Sequence, residues 1–295
     1  MSMAASRPGR PAGGSRLPGR VVLVGAGPGS ADLLTLKAAR LIATADWVVH
    51  DALVQPEVLA LAARARIICV GKRAGRKSAR QHEINLALID CARQGGLVVR
   101  LKGGDPLLFS RAQEELDALR EAGIPVEVVP GITTAQAAYA SLAAPMTERG
   151  RRRSMVLATP QVGTAAGSDA ASRQEGDGER TPGTGRLACD GRVDVQWARA
   201  LVNAEGGALY MASTVADRTR ATLLSLGMPA STPAIWITNV SLPDQSVICT
   251  TLGELRSLPE ELAGQPALLL LGTAVPSPWH EPTPIREPAT ATLSP

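Results

Sequence analysis

The feature that most constrains the fold is an apolar run that passes straight into a glycine cluster. Val21-Val22-Leu23-Val24 is followed by Gly25-Ala26-Gly27-Pro28-Gly29-Ser30. A four-residue run without polar alternation suits a strand buried on both faces. Leu34, Ala38, Leu41, Ile42 and Ala45 then recur at helical spacing, so the cluster reads as a strand-to-helix turn. The same grammar repeats downstream. Trp47 to His50, Ile67 to Val70, Leu97 to Leu101 and Val126 to Val129 are short apolar strands. Ile84, Leu88 and Cys91 mark one intervening helix; Leu116, Leu119 and Ala122 mark another, with Gly123 as its C-cap. Strands alternating with helices predict an α/β fold with a mainly parallel sheet covered on both faces.

Two further strands end in turns of the same kind. Leu101-Lys102-Gly103-Gly104-Asp105-Pro106 places a carboxylate at a glycine turn, and Val129-Pro130-Gly131-Ile132-Thr133-Thr134 places two hydroxyls at a helix start. In a parallel sheet such turns gather at the C-terminal edge, where ligands of open α/β sheets bind. Glycines there allow close approach of a ligand to the backbone, and helix N-termini offer unpaired N–H donors. Three convergent turns predict a site for a small ligand with polar groups.

The chain of 295 residues suits two domains. Residues 1–20 are rich in Gly, Pro, Arg and Ser and read as a disordered basic tail. Residues 21–150 form the first α/β domain. Residues 151–275 form the second, with strands at Met155 to Thr159, Ala208 to Met211, around Ile235 and Val247, and at Pro266 to Gly272. A helix is expected from Val215 to Leu226. Between Gly163 and Arg186 there is no Val, Ile, Leu, Met or aromatic residue. Such a stretch buries too little apolar surface to offset its ordering entropy, so a flexible insertion is expected over about 162–190. Residues 276–295 contain six prolines and read as a tail.

Composition narrows the partners. Arg7, Arg10, Arg16 and Arg20, with no acid among residues 1–20, account for the whole formal net charge of +4, so the body is neutral. Aromatic residues make up 2% of the chain, too few for base-stacking platforms. Nucleic acid is therefore not an expected partner. No apolar run approaches the ~18 residues of a membrane span, so a membrane is not expected either. The four cysteines are far apart and the three histidines lack metal-ligand spacing, which predicts reduced thiols, a cytoplasmic setting and no metal centre. The first turn leaves one alternative open. Gly25 and Gly27, with Asp46 or Asp51 as ribose partner, are the rudiments of an NAD site, although Ser30 stands where a dinucleotide fold wants a third glycine.

The longer strings resemble a known family. They are Gly25 to Gly29, His50-Asp51-Ala52-Leu53-Val54, Val70-Gly71-Lys72-Arg73-Ala74-Gly75 and Gln81-His82-Glu83-Ile84-Asn85. Val98 to Pro106, Phe109-Ser110-Arg111, Glu114-Glu115, Gly123-Ile124-Pro125, Val129 to Thr134 and Pro145-Met146-Thr147-Glu148-Arg149 continue the series. Together they are similar to the uroporphyrinogen-III C-methyltransferases, within the tetrapyrrole (class III) methylases. The match is dense from Val21 to about Thr159 and thinner from Leu209 to Gly272.

The resemblance implies a homodimer of two-domain α/β subunits with mainly parallel or mixed sheets, binding its ligand in the cleft between domains. It implies S-adenosylmethionine as methyl donor, with contacts at Pro28, Gly103, Gly104, Asp105, Leu108, Thr133, Thr134, Met211 and Val240, the last a position where the family usually has glycine. It implies two methylations of uroporphyrinogen III, at carbons 2 and 7, giving precorrin-2 for sirohaem, cobalamin or haem d1. Asp51 and Lys72 match acid/base positions, Arg111 and Glu114 match a catalytic pair, and Arg149 matches a substrate-binding arginine.

The chemistry agrees with these residue types. Methyl transfer from a sulfonium is an in-line displacement, in which alignment of the reactants supplies ~7–11 kcal/mol. A proton must leave the macrocycle afterwards, which calls for a base. The substrate bears many carboxylates, which call for arginines. A guanidinium is a poor base, so Arg111 is expected to orient the substrate, with Glu114 holding it. Departures from the family pattern fall at Ser110, Ala112, Gln113, Glu148 and Thr159-Pro160-Gln161. They keep two alternatives open: a paralogue with altered substrate, and a non-catalytic ligand-binding paralogue.

Overall fold

The computed structural model describes residues 19–71, 81–161 and 195–273. The chain divides into two compact units, Met1–Ala137 and Ala138–Pro295. In the first, β1 (Arg20–Gly25), α1 (Leu36–Thr44), β2 (Trp47–His50), α2 (Pro56–Ala60), β3 (Arg66–Cys69), α3 (Gln81–Arg93), β4 (Leu97–Lys102), α4 (Ala112–Glu121) and β5 (Val126–Val129) follow in order. The five strands form one sheet in the order β3-β2-β4-β1-β5. Every pairing in it is parallel.

Strand β1 explains the missing polar alternation. Val21 and Leu23 face one cluster with Leu88 of α3 and Leu119 of α4, while Val22 and Val24 face another with Ile42 of α1 and Val58 of α2. Both faces are covered, as the unbroken apolar run requires. Helix α4 stops where the sequence says it should. Gly123 has φ +67°, its N–H donates to Arg120 O at 2.9 Å, and Ile124 N–H donates to Leu119 O at 2.9 Å. These two bonds satisfy the last carbonyls of the helix in a Schellman arrangement.

The second unit holds β6 (Val156–Ala158), α6 (Gln196–Val202), β7 (Gly207–Tyr210), α7 (Ala216–Ser225), β8 (Pro233–Thr238), β9 (Ser246–Thr251) and β10 (Ala267–Leu271). Its sheet order is β6-β7-β10-β8-β9. Only β6 and β7 pair in parallel; the other three pairings are antiparallel. Leu209, Trp236, Leu269 and Leu271 pack with Leu201 of α6 and Leu223 of α7. The chain is thus two α/β units, one wholly parallel and one mixed.

Two boundaries differ from expectation. Gly19 and Arg20, assigned to the basic tail, belong to the first unit: Gly19 N–H donates to Ala92 O of α3 at 2.8 Å and Arg20 begins β1. The units part at Ala137, ahead of the 150/151 boundary suggested by the Arg-rich stretch. The division runs through α5 (Thr134–Ser141). Tyr139 of this helix is buried, and its hydroxyl shares a hydrogen bond with Thr273 just after β10. An alanine-rich helix gives no compositional sign of that allegiance. The expected insertion at about 162–190, the tail 276–295 and residues 1–18 lie outside the described residues.

The three glycine turns sit on neighbouring strands, β4, β1 and β5, and their backbones meet. A Cβ on Gly25 would lie 2.6 Å from Gly131 Cα and 2.7 Å from Gly104 O; one on Gly131 would lie 2.8 Å from Gly25 Cα. Gly131→Ala is therefore expected to destabilise the protein by about 1–3 kcal/mol through overpacking. The check is the denaturant midpoint of the variant, and a midpoint equal to wild type would contradict the close approach.

Candidate functional site

The turns after β1, β4 and β5 are stitched together as well as packed. Gly27 N–H donates to Gly104 O at 3.2 Å and Gly104 N–H to Gly27 O at 2.7 Å. Gly27 and Gly104 both take positive φ, 73° and 66°, which glycine adopts without a Cβ penalty. Asp105 adds the third side. Its Oδ2 accepts from Gly131 N–H at 3.0 Å and its Oδ1 from Leu107 N–H at 2.8 Å. The Asp105 carboxylate, expected as a ligand partner, therefore ties the second turn to the third. Pro28, Gly103, Leu108, Thr133 and Thr134 are all half-buried along this rim. Among the described residues a Cβ at Gly103 would meet Leu53 Cβ at 3.6 Å, an ordinary contact, so this position is not tightly packed.

Asp51 stands at the C-terminal end of β2, on the same edge. Its Oδ1 accepts from Arg100 Nη2 at 2.6 Å. Behind it lies a buried charge cluster. Arg100 and Lys102 project from the same face of β4 and are each 2% exposed, while Glu115 of α4 is 0% exposed. Glu115 Oε1 accepts from Arg100 Nε at 3.0 Å and Oε2 from Lys102 Nζ at 2.9 Å. Burial, then the neighbouring Arg100 charge, push the Lys102 pKa below its ordinary value against the opposing pull of Glu115. Gln81 Nε2 also reaches Glu115 Oε1, at 3.4 Å, and Asn85 Nδ2 donates to Glu114 O at 3.2 Å, so the first turn of α3 is bound to that of α4. In the sequence, Arg100, Lys102 and Glu115 stand within the family-like strings without an expected role of their own.

Arg111 and Glu114 form the expected pair. Arg111 Nε and Nη2 donate to the two Glu114 oxygens at 2.7 and 2.8 Å. This hydrogen bonding raises the guanidinium pKa further, which suits orientation or charge stabilisation and opposes a role as base. Arg111 caps α4 with φ +57°, and Phe109 has φ +51°. Non-glycine residues in this region are strained, and such strain concentrates at functional sites. The altered residues between them are accommodated locally. Ser110 donates to Pro106 O, Ala112 is buried, and Gln113 bonds Asp117 on the outer helix surface at 2.8 Å. Lys72 lies outside the described residues.

In the second unit, β6, β7 and β8 all end at one edge of the sheet. Met211 follows β7 with φ +56° and is 46% exposed. Gln161 Nε2 donates to Met211 O at 3.3 Å and to Thr214 Oγ1 at 2.8 Å, which fixes the bend. Val240 follows β8 and is buried. Its neighbours Asn239 and Ser241 carry the left-handed bends, at φ +48° and +68°. Asn239 is held by Asp244 Oδ2 at 2.7 Å and Gln265 Oε1 at 2.9 Å. Val240 itself is not among the residues with positive φ, so its own backbone does not call for glycine. Arg149 is exposed in a tight turn where Glu148 and Arg152 exchange backbone hydrogen bonds at 2.8 Å. Glu148, an unexpected acid, is paired with Arg151 at 3.3 Å.

The geometry disposes of the NAD alternative. Asp46 precedes β2 and so lies at the edge opposite the glycine turns, where its Oδ2 accepts from Leu97 N–H at 2.8 Å. Strand β4 separates β2 from β1, so Asp51 is not next to the first turn as a ribose partner in a dinucleotide fold would be. Among the described residues, no group of three or more His, Cys, Asp or Glu is placed to hold a metal, and no helix is long and apolar enough to cross a membrane.

Comparison with known proteins follows the same lines. The family model of tetrapyrrole (corrin/porphyrin) methylases matches residues 20–256. Siroheme synthase 1 of Klebsiella pneumoniae is 40% identical over 258 residues, 87% of this chain and 49% of the relative. Siroheme synthase of Zymomonas mobilis is 39% identical over 86% of this chain and 48% of the relative. The chain thus spans about half the length of the curated relatives it matches. Among solved structures, uroporphyrin-III C-methyl transferase from Thermus thermophilus complexed with S-adenyl homocysteine is 32% identical, with a TM-score of 0.65. That match covers 86% of this chain and 97% of the other.

Asp105→Ala strips two backbone N–H groups of their acceptor; the part-buried Gly131 donor is left unsatisfied at a cost of about 1–3 kcal/mol, while the exposed Leu107 donor turns to water. A lower denaturant midpoint in ligand-free protein is the expected result; an unchanged midpoint would show that the carboxylate does not hold the turns together.

Proposed function

The chain belongs to the tetrapyrrole (corrin/porphyrin) methylase family, and from that premise we propose that it methylates uroporphyrinogen III at carbons 2 and 7, giving precorrin-2, with S-adenosylmethionine as donor. The observation that carries the reading is the meeting of the three turns after β4, β1 and β5 at one rim, where their backbones touch and hydrogen-bond. That rim fits a ligand whose polar groups bond to main chain. Gly103, Gly104, Leu108, Thr133 and Thr134, with Pro28, would hold the donor there, and Met211 and Val240 are further contacts on this reading. When bound, S-adenosylmethionine supplies an electrophilic methyl group.

The chain's own groups have distinct tasks. Arg100 fixes Asp51 through Oδ1; among the described residues Oδ2 makes no hydrogen bond, and it is the proposed acceptor for the proton that leaves the macrocycle after methylation has made the attacked carbon quaternary. Lys72 is proposed as its acid/base partner. Arg111, locked in a fork by Glu114, presents a permanent positive charge to substrate carboxylates. Arg149 adds a second. The pairing of Glu148 with Arg151 keeps the nearby acid from opposing an anionic substrate. The same reading includes a homodimer acting in the cytoplasm, without nucleic acid or membrane as partner, and a product destined for sirohaem, cobalamin or haem d1.

Anaerobic incubation with uroporphyrinogen III and labelled S-adenosylmethionine is expected to place two methyl groups on each product molecule. Binding of S-adenosylhomocysteine without any methyl transfer would favour the non-catalytic or altered-substrate paralogue. Arg149→Ala is expected to raise the KM for the tetrapyrrole about tenfold, from loss of a charged hydrogen bond worth about 1.5 kcal/mol. A KM equal to wild type would remove Arg149 from the substrate site.

A further inference from the structure

We propose that Glu115 is a positioning residue for methyl transfer: it fixes the Arg100 guanidinium so that Arg100 presents the Asp51 carboxylate in one orientation. The inference deepens the proposed function, since it gives Asp51 the proton-accepting task set out above. It starts from a misfit between pattern and residue. Helix α4 buries Ala112, Glu115, Leu116 and Leu119 on one stripe, and Glu115 is the only acid in it. Strand β4 is apolar on its other face, at Val99 and Leu101, but carries Arg100 and Lys102 beyond Val98 on the face that meets this stripe. Three buried charges have replaced what packing alone would fill with aliphatic side chains, and an ion cluster of this kind is weak evidence of stabilisation in itself.

The geometry says what the cluster achieves. Arg100 is held at every nitrogen. Nε donates to Glu115 Oε1 at 3.0 Å, Nη1 to Leu101 O at 3.3 Å and Nη2 to Asp51 Oδ1 at 2.6 Å. Of these three acceptors, Glu115 alone is wholly buried and charged, so it sets where the guanidinium plane lies. Glu115 also engages Lys102 through its second oxygen, at 2.9 Å. Without it, two buried cations would compete for the single carboxylate of Asp51, and Oδ2 would no longer be left for a proton. A side chain on α4 thereby controls a group at the end of β2. The adjacent Glu114 holds Arg111 from the same helical turn. One turn of α4 supports two of the proposed catalytic residues, one inward and one outward.

The test is a double-mutant cycle between Glu115→Gln and Asp51→Asn, with turnover and donor binding read separately. Glu115→Gln is expected to lower kcat roughly tenfold or more, while the Kd for S-adenosylhomocysteine stays within about twofold of wild type. In the Asp51→Asn background it is expected to change kcat no further, because the group it positions has gone. A full additional loss in that background, or a kcat equal to wild type in the single variant, would overturn the proposal. Should Glu115→Gln fail to fold, the same cycle is run with Lys102→Met throughout, which keeps the buried charges in balance, and the same outcomes decide. If the wild-type protein transfers no methyl group to uroporphyrinogen III, the substrate reading falls. The crystal structure of the Glu115→Gln variant then decides this one: loss of the Arg100–Asp51 contact supports it, and retention of that contact overturns it.

Discussion

Gly25, Gly104 and Gly131 come so close that a Cβ on Gly25 or on Gly131 would run into the backbone of the neighbouring turns. Everything proposed for the first unit depends on that contact. It requires β4, β1 and β5 to be neighbours, which the strand order provides, and it requires parallel strands, so that all three turns emerge on one side. The reward is a rim built from main chain. Backbone N–H and C=O groups cost no rotamer entropy to orient, and Asp105 locks the relation between two of the turns by accepting from Gly131.

Behind this rim is a second layer of a different nature. The rim is neutral and made of backbone; the cluster of Arg100, Lys102, Glu115 and Asp51 is charged and made of side chains. Buried charges are held at a cost in desolvation unless each finds a partner, and here each does. The two layers share β4, whose last residues Arg100 and Lys102 feed the cluster just before Gly103 and Gly104 form the turn. A change in the position of β4 is therefore felt by both. This shared strand links the proposed donor site to the proposed proton acceptor.

Much of this was legible in the sequence. The first sheet is visible because its strands are buried on both faces and its helices are punctuated by glycine, as at Gly123. Strands Trp47–His50 and Val126–Val129 have the bounds expected of them. The short helices α2 and α6 were not anticipated; five and seven residues are too few to show a helical period. The unit boundary was misplaced because a burst of arginines is conspicuous, whereas the allegiance of Tyr139 to Thr273 depends on a contact far apart in sequence. Asp105 is expected to be a ligand partner because a carboxylate at a glycine turn looks available; the fold adds that it also accepts from Gly131 N–H, which no local pattern shows. The buried cluster did leave a trace: Arg100 and Lys102 are spaced two apart in an otherwise apolar strand, and Glu115 interrupts an apolar helical stripe. Charged residues that break a core pattern on two elements are candidates for one another.

The central claim is that a single small ligand, a sulfonium methyl donor, rests on the rim formed by the three turns. A crystal structure of the protein soaked with S-adenosylhomocysteine tests it most directly. Density for the nucleoside and amino-acid portions against Gly103, Gly104, Thr133 and Thr134 is the result the account predicts. Density elsewhere with those turns bare, or a rim that stays empty at ligand concentrations that saturate binding in solution, would contradict it.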